Sequence, residues 1–464
     1  MNERAFLVAG LGLGDEGKGS IVDWLVRDHG ADTVIRYNGG AQAAHHVVTD
    51  DGREHCFAQF GAGTLVPGVR TFLSRFVIVD LLALAAEEQA LRTIGVQDAY
   101  SRLTLDPRCV LVTPFHRMLN HMRELARGGA RHGSCGMGIG EARLDAENPG
   151  LPTVIVADAL EREHLRSRLR LLWLTKLDQA EQLVDSHSGG VRDQSGSMRR
   201  MADILADLRR PDRLDSLTDA YHDIVTRRGI YLSDVVPPSQ ISVFEGAQGV
   251  LLDRSLGFWP HVTPSRTTLE HAETLLAERP SVGQVTRVGV LRAYATRHGA
   301  GPLVTEDRTL SANRPDQHNG DHAWQGHFRL GWFDAVAARH ALRTTAPIDR
   351  LVMTNLDRLT GLPRVRICTA YRGPDGALTG DIPTVSRPEA GDARRPPVPD
   401  ARTRWLLACR PHYRDLPGWQ TSPPAGTEWR DAIAALEAAS GCGRPIDAIS
   451  MGPTARDKLR LTAW

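Results

Sequence analysis

Residues 4–25 read RAFLVAGLGLGDEGKGSIVDWL: an apolar run, a glycine-rich turn and a stretch at helical spacing, in immediate succession. The run AFLVA at 5–9 has no polar interruption, which suits a strand buried on both faces of a parallel sheet. GLGLGDEGKGS at 10–20 follows at once, and Ile21-Val-Asp-Trp-Leu25 continues with helical spacing. Strand, glycine turn and helix together bring free backbone N–H groups and a helix N-terminus up to a phosphate. The glycines permit positive φ and close backbone approach, and Lys18 adds a point charge.

Two phosphate-binding patterns nearly fit this turn. Gly12 to Lys18 satisfies GxxxxGK, but Gly19 stands where that pattern places a magnesium-holding Ser or Thr. Gly12 to Gly17 satisfies GxGxxG, the dinucleotide fingerprint, which wants an acid at the end of the second strand. The second strand, residues 33–37, carries Arg36 instead, and Asp15-Glu16 would direct two negative charges at a pyrophosphate. A dehydrogenase is therefore the weaker reading. An acid inside a phosphate loop fits a residue that binds a metal or moves a proton.

The 464 residues, 41% hydrophobic, can bury a large core, and no low-complexity linker divides them. With 56 basic against 55 acidic residues, nothing suggests a nucleic-acid or membrane surface. Six scattered cysteines without a CxxC pair fit reduced thiols better than a disulfide frame or a zinc site. The first strand begins within a few residues of Met1, leaving no room for a signal peptide, and no run of eighteen apolar residues occurs. The expectation is a soluble cytoplasmic α/β enzyme acting on small molecules.

Beyond the turn, residues 35–48 run from a strand through Gly39-Gly40 to the pair His45-His46, whose side chains cannot chelate one metal because neighbours on an extended chain face opposite ways. Residues 70–84 read as strand and helix start, 114–128 as a helix, and 133–140 as a second glycine-rich loop. A long charged helical insertion is expected over about 155–235, and a Pro/Arg-rich surface excursion over about 380–425, within a single domain spanning 1–464. Further strands are expected at 240–244, 285–294, 351–353 and 446–450. Glu245 to Asp253 follows the first of these, and open α/β sheets place their chemistry at such carboxyl ends.

GDEGKG at 14–19, the Gly39-Gly40-x-x-Ala43-x-His45 stretch and FEGAQGVLLD at 244–253 together resemble adenylosuccinate synthetases. So do TPSRTT at 263–268, AYATRHGAGPLVTE at 293–306, GWFDAVAARHA at 331–341 and MTNLDRLTGL at 353–362, in family order. The resemblance implies a large, mostly parallel central sheet flanked by helices, with a P-loop-like GTP site, and a homodimer. It implies a GTP-dependent C–N ligase that phosphorylates the 6-oxygen of a hypoxanthine-like acceptor and replaces it with an amine. Asp15 matches the family's base and, with the backbone of Ala44, its Mg2+ ligand. His45 matches the general acid at the transferring phosphoryl group, and Gln248 the amide at the 6-oxygen. A lactam oxygen becomes a good nucleophile once a carboxylate removes the neighbouring ring proton. For GTP the resemblance implies Gly14, Glu16, Gly17, Lys18 and Gly19 at the phosphates, with Asn355, Asp357, Ser450, Gly452 and Pro453 around the guanine. For the acceptor it implies Asn38, Gln42, Cys135, Gln248 and Thr263.

Departures from the family pattern gather on the substrate side. Cys135 replaces a hydroxyl that contacts the acceptor phosphate, Met137 replaces an arginine, and Pro149 stands where an arginine reaches across the dimer. Asn355 replaces a lysine, and Gln42 an asparagine. The family's donor segment is rich in Thr and Arg; here it reads HAWQGHFRLGW at 322–332, keeping Arg329 and gaining Trp324 and Phe328, with Arg297 retained nearby. Those four residues are the expected donor-binding set. Charge-assisted pairs worth about 1.5–3 kcal/mol each hold a dianion, so their loss argues for a paralogue with a changed acceptor, donor or both. Two alternatives stand: an ordinary adenylosuccinate synthetase using IMP, L-aspartate and GTP, and a non-catalytic GTP-binding regulator.

Overall fold

The computed structural model describes residues 3–187, 196–279, 281–316, 318–345, 347–384, 398–421, 428–440 and 444–464. The central strands, in chain order, are β1 (Glu3–Gly10), β2 (Thr33–Arg36), β3 (Arg70–Leu73), β4 (Leu103–Leu105) and β5 (Tyr231–Leu232). They continue as β6 (Ile241–Gly249), β7 (Val282–Arg292), β8 (Arg350–Thr354), β9 (Ala448–Ser450) and β10 (Lys458–Arg460). These ten form one sheet in the order β10-β9-β8-β7-β1-β6-β2-β3-β4-β5. Every pairing is parallel except that of the edge strand β10 with β9.

β1 lies in the middle because its residues are apolar on both faces. Phe6 and Val8 point into one core layer, Ala5, Leu7 and Ala9 into the other. The first layer is built with the helix Lys18–His29 and, further out, the helices Pro114–Arg127, Arg162–His187, Ser197–Leu208 and Asp212–Arg227. The last three occupy the charged stretch read as a helical insertion. The second layer rests on the helices Ala335–Thr344 and Glu428–Ser440. Burying side chains such as Phe6, Leu7 and Val8 contributes about 1.5–3 kcal/mol each, enough to hold β1 between its neighbours.

The chain runs from β1 to one edge through β2–β5, returns beside β1 as β6, crosses to its other flank as β7 and continues outward. That reversal leaves a crevice at the carboxyl ends of β1, β6, β7 and β8. A separate antiparallel pair, Ala295–His298 with Phe328–Gly331, stands over this crevice and sets Arg297 opposite Arg329 and His298 opposite Phe328.

Of the stretch read as a Pro/Arg-rich excursion, residues 385–397 and 422–427 lie outside the described residues. Helix Ala401–Ala408 leads into strand Arg410–Pro417, which pairs antiparallel with Arg364–Arg372. The five described cysteines are free, and Cys442 lies outside the described residues. Among the described residues no helix is long and apolar enough to cross a membrane.

Candidate functional site

The glycine turn between β1 and helix Lys18–His29 is tied to three neighbouring strands. Leu11 N donates to Val290 O of β7 (2.9 Å), Leu251 N donates to Gly12 O (3.1 Å), and Thr354 Oγ1 donates to Glu16 O (2.7 Å). Two glycines exist for contact. A Cβ on Gly249 would sit 2.2 Å from Gly12 O, and one on Gly19 would sit 2.7 Å from the Cβ of His45. Gly19 therefore stands at the position of the P-loop Ser/Thr because a side chain there would displace His45.

Asp15 lies at the tip of the turn. Burial pushes its carboxyl up, but His298, Arg292 and Lys18 outweigh this and hold it below the usual carboxylate range. His298 Nε2 is 3.6 Å from Asp15 Oδ2, and Arg292 Nη1 donates to Asp15 O (2.7 Å). The two acids of the turn part ways. Glu16 folds inward, accepting from Gly14 N and from Lys18 Nζ at 2.7 Å each, and Lys18 also donates to Gly14 O (2.8 Å). Glu16 and Lys18 were both expected at the GTP phosphates. Here each neutralises the other inside the turn, so the second negative charge never faces the ligand side.

His45 opens strand His45–Val48 and is buried, whereas His46 faces the other way, its ring 4.2 Å from that of His318. His45 Nδ1 is paired with Glu245 Oε1, while Glu245 Oε2 accepts from Ala62 N (2.9 Å). Burial lowers the His45 pKa against the opposing pull of Glu245. Burial raises the Glu245 carboxyl, but Arg36 and His45 more than offset it and keep it below its ordinary value. With Nδ1 committed to a carboxylate, the imidazole presents Nε2 to whatever enters the site.

Gln248, the penultimate residue of β6, lies in the left-handed region at φ 61, a conformation a non-glycine residue adopts only under constraint. Its Oε1, the Oδ2 of Asp15 and the Oε1 of Gln42 are buried without hydrogen-bond partners. Buried polar atoms are nearly always paired, so these oxygens mark where a ligand's donors belong. Behind the turn lies a cavity of about 70 Å³, lined in part by Leu13, Asp15, Arg292, Leu303, Val304 and Asp334.

Other expected acceptor residues hold the walls. Asn38 Oδ1 accepts from Ala247 N (2.6 Å) and its Nδ2 donates to Arg266 O (2.9 Å), so Asn38 positions the loop carrying Gln248. Thr263 is held by its main chain, N donating to Leu252 O (2.8 Å). Burial raises the Cys135 thiol.

Among the residues expected around the guanine, Asn355 adopts φ 60, and Leu356 N donates to Ser450 O (3.3 Å), which brings the loops after β8 and β9 together. Burial raises the Asp357 carboxyl above its ordinary value, with its own backbone N–H, Arg358 and Lys458 opposing. Lys458 braces the second loop, donating to Gly452 O (3.0 Å) and Thr454 O (2.8 Å), and burial lowers it to about 8. Ser450 Oγ donates to Gly452 O (3.2 Å), so Ser450 and Gly452 form a closed turn ahead of Pro453.

The donor side differs from its reading. Arg297 is 2% exposed and donates to Ala300 O (2.9 Å), Pro302 O (3.3 Å) and His261 O (3.1 Å). Burial, with Arg329 nearby, lowers it to about 9. Arg329 donates to Gly299 O (2.6 Å), Gly301 O (2.8 Å) and Glu306 Oε2 (2.7 Å). Both guanidiniums are already engaged, Arg297 by three backbone carbonyls and Arg329 by the Gly299 and Gly301 carbonyls and Glu306. Trp324 stacks on His121 (4.0 Å, 10°) with Arg200 over its ring (5.3 Å), and it covers Gly136 of the 133–138 loop. Phe328 packs on His298 (4.6 Å).

Sequence reasoning missed Glu245, His298, Arg292 and Lys458. Glu245 had a signal, an acid at the carboxyl end of a buried strand; Arg292 and His298 meet Asp15 across more than 270 residues of chain, and Lys458 braces a turn only four to six residues back with no motif of its own. For magnesium, the orphaned Asp15 Oδ2 fits one hard oxygen ligand, and no group of three His, Cys, Asp or Glu side chains could hold a metal among the described residues. That donor set suits an ion held by one carboxylate, a backbone carbonyl such as that of Ala44, and phosphate oxygens.

The adenylosuccinate synthetase family model matches residues 7–459. An adenylosuccinate synthetase of Acidithiobacillus ferrooxidans is 34% identical over 473 residues, covering 100% of this chain and 99% of the relative. That of Ectopseudomonas mendocina is 34% identical over 464 residues, with 98% of each covered. Among solved structures, the fully ligated Plasmodium falciparum adenylosuccinate synthetase superposes with a TM-score of 0.71 at 20% identity, covering 100% of both chains. A cyanophage S-2L succinoaminodeoxyadenylate synthetase, bound to dGMP and dATP, has a TM-score of 0.56 at 16% identity, covering 100% of this chain and 97% of that one. At these identities the two structures speak for the fold alone.

Proposed function

The chain belongs to the adenylosuccinate synthetase family of GTP-dependent C–N ligases, and from that premise we propose a ligase that activates a hypoxanthine-like acceptor at its 6-oxygen and joins it to an amine less charged than aspartate. The observation that carries the donor assignment is the commitment of Arg297 and Arg329 to backbone carbonyls and Glu306. A C4 dicarboxylate would bring a second charge against Trp324 and Phe328, and an unpaired buried carboxylate costs more than a small amino acid can recover.

The Asp15 carboxylate takes the proton from the ring nitrogen, and the 6-oxygen attacks the γ-phosphorus as the bond to the β-phosphate breaks. Gln248 holds the 6-oxygen, and the strained φ of that residue supports a ligand role. His45, its Nδ1 on Glu245, offers Nε2 to the phosphoryl oxygens where charge develops. The amine then attacks C6, the C–O bond breaks with its electron pair going to the departing phosphate, and the proton lost by the amine is taken up by that phosphate. Asp15 and the Ala44 carbonyl would hold magnesium, which when bound would neutralise charge at the phosphates. GTP is read by Asp357, with Asn355, Ser450, Gly452 and Pro453 forming the rest of the base pocket. Asn38, Gln42, Cys135 and Thr263 line the acceptor side.

A donor panel at fixed GTP and acceptor, following phosphate release and adduct mass, tests the reading. L-aspartate emerging as best donor with a millimolar or lower Michaelis constant overturns it and returns the ordinary synthetase.

A further inference from the structure

Asp15 is held from two directions. Arg292 fixes its main chain, donating through Nη1 to Asp15 O (2.7 Å), while Nη2 reaches Asp316 Oδ2 (3.3 Å). The carboxylate is faced by His298, whose Nε2 lies 3.6 Å from Oδ2, with both side chains largely shielded at 21% and 24% exposure. His298 ends the strand Ala295–His298 directly opposite Phe328, and the two rings lie 4.6 Å apart at 49°. Phe328 in turn opens the return strand of the 322–328 segment, where Trp324 is clamped between His121 and Arg200. Asp15 is thus linked through one imidazole to the segment that faces the amine donor.

We propose that His298 is a positioning residue for the Asp15 carboxylate, and that Phe328 fixes the imidazole and so ties the base to the amine-donor segment. The inference rests on the reading of Asp15 as the base. A carboxylate that turns freely about its Cβ–Cγ bond presents its lone pairs to the acceptor only part of the time. An N–H facing one oxygen selects the productive orientation, and such preorganisation raises the rate without tightening ground-state binding. The contact is made by the distal ring nitrogen. Glutamine places an amide nitrogen at a similar reach, whereas asparagine stops at the level of the proximal nitrogen.

The test compares His298→Leu, His298→Gln, His298→Asn and Phe328→Ala with Asp15→Asn, measuring single-turnover phosphoryl transfer with inosine monophosphate and inosine as acceptors, and GTP binding by calorimetry. His298→Leu is expected to slow transfer about ten- to hundredfold with GTP affinity within about threefold. Gln recovers most of that loss and Asn little of it, and Phe328→Ala slows transfer about three- to tenfold by loosening the ring. Full activity of His298→Leu, or equal losses in Gln and Asn, overturns the proposal. Should the Leu variant not bind GTP, the Gln–Asn pair carries the same test. Asp15→Asn separates the two claims. If it stays active, the base reading fails and takes this inference with it. If it is inactive while His298→Leu is fully active, only the positioning role falls.

Discussion

The phosphoryl-transfer side and the donor side of the crevice use their polar groups in opposite ways. On the first, Asp15 Oδ2, Gln248 Oε1 and Gln42 Oε1 are buried and left without partners, and Gln248 is held at a positive φ. On the second, Arg297 is buried and Arg329 half-buried, and both donate to carbonyls of the 299–302 turn, Arg297 also to His261 O and Arg329 to Glu306. Retention of a residue type therefore says less about ligand contact than whether its polar atoms are already satisfied. The first side keeps unmet demand for a ligand; the second has spent its cations on its own backbone.

The sharpest way to break this contrast is Asp15→Asn. The amide cannot take the ring proton, so phosphoryl transfer falls about 10²–10⁴-fold while GTP binding, measured by calorimetry, stays largely intact. More than about a tenth of wild-type turnover removes the base from the first side. Next in size, GTP is preferred over ATP by about 10²-fold or more, because adenine would leave Asp357 an unpaired acceptor. Asp357→Asn relaxes or shifts that preference, and equal use of both nucleotides by the wild type withdraws Asp357.

On the donor side, aspartate is expected to trail a less charged amine by about tenfold or more in kcat/KM, about the worth of one lost charge-assisted hydrogen bond. The smallest effect concerns Arg329→Met. An arginine occupied with Gly299 O, Gly301 O and Glu306 supports structure, so its loss lowers unfolding free energy by about 1–3 kcal/mol in a urea titration. The donor Michaelis constant should move by less than about threefold. A stable variant with a donor constant raised by about a hundredfold would make Arg329 a ligand and erase the contrast.

Much of the frame is written locally. AFLVA at 5–9 is apolar at every position, and a strand covered on both faces buries all of it. Gly17 at φ 80 starts helix Lys18–His29 and Gly30 at φ 66 closes it, each where only glycine is at ease. The motif blocks at 14–19 and 244–253 likewise lie where their order implied, at the carboxyl ends of β1 and β6. The stretch 410–417 did not declare itself as a strand, because Pro411, Pro417 and the charged residues Arg410, Arg414 and Asp415 mask a pairing with residues 364–372 that only the fold supplies.

What the amino-acid order determined by itself is therefore the central strand, the phosphate turn and the identity of the groups that can do chemistry, since each depends on neighbours a few residues apart. Which of those groups are free to act was decided only by tertiary structure. Glu16 and Lys18 neutralise each other within the turn, but Asp15 meets His298, His45 meets Glu245, and Arg297 meets the carbonyl of His261. Partners 283, 200 and 36 residues apart leave no periodic trace in the chain, because a hydrogen bond is satisfied by position in space rather than by distance along the sequence.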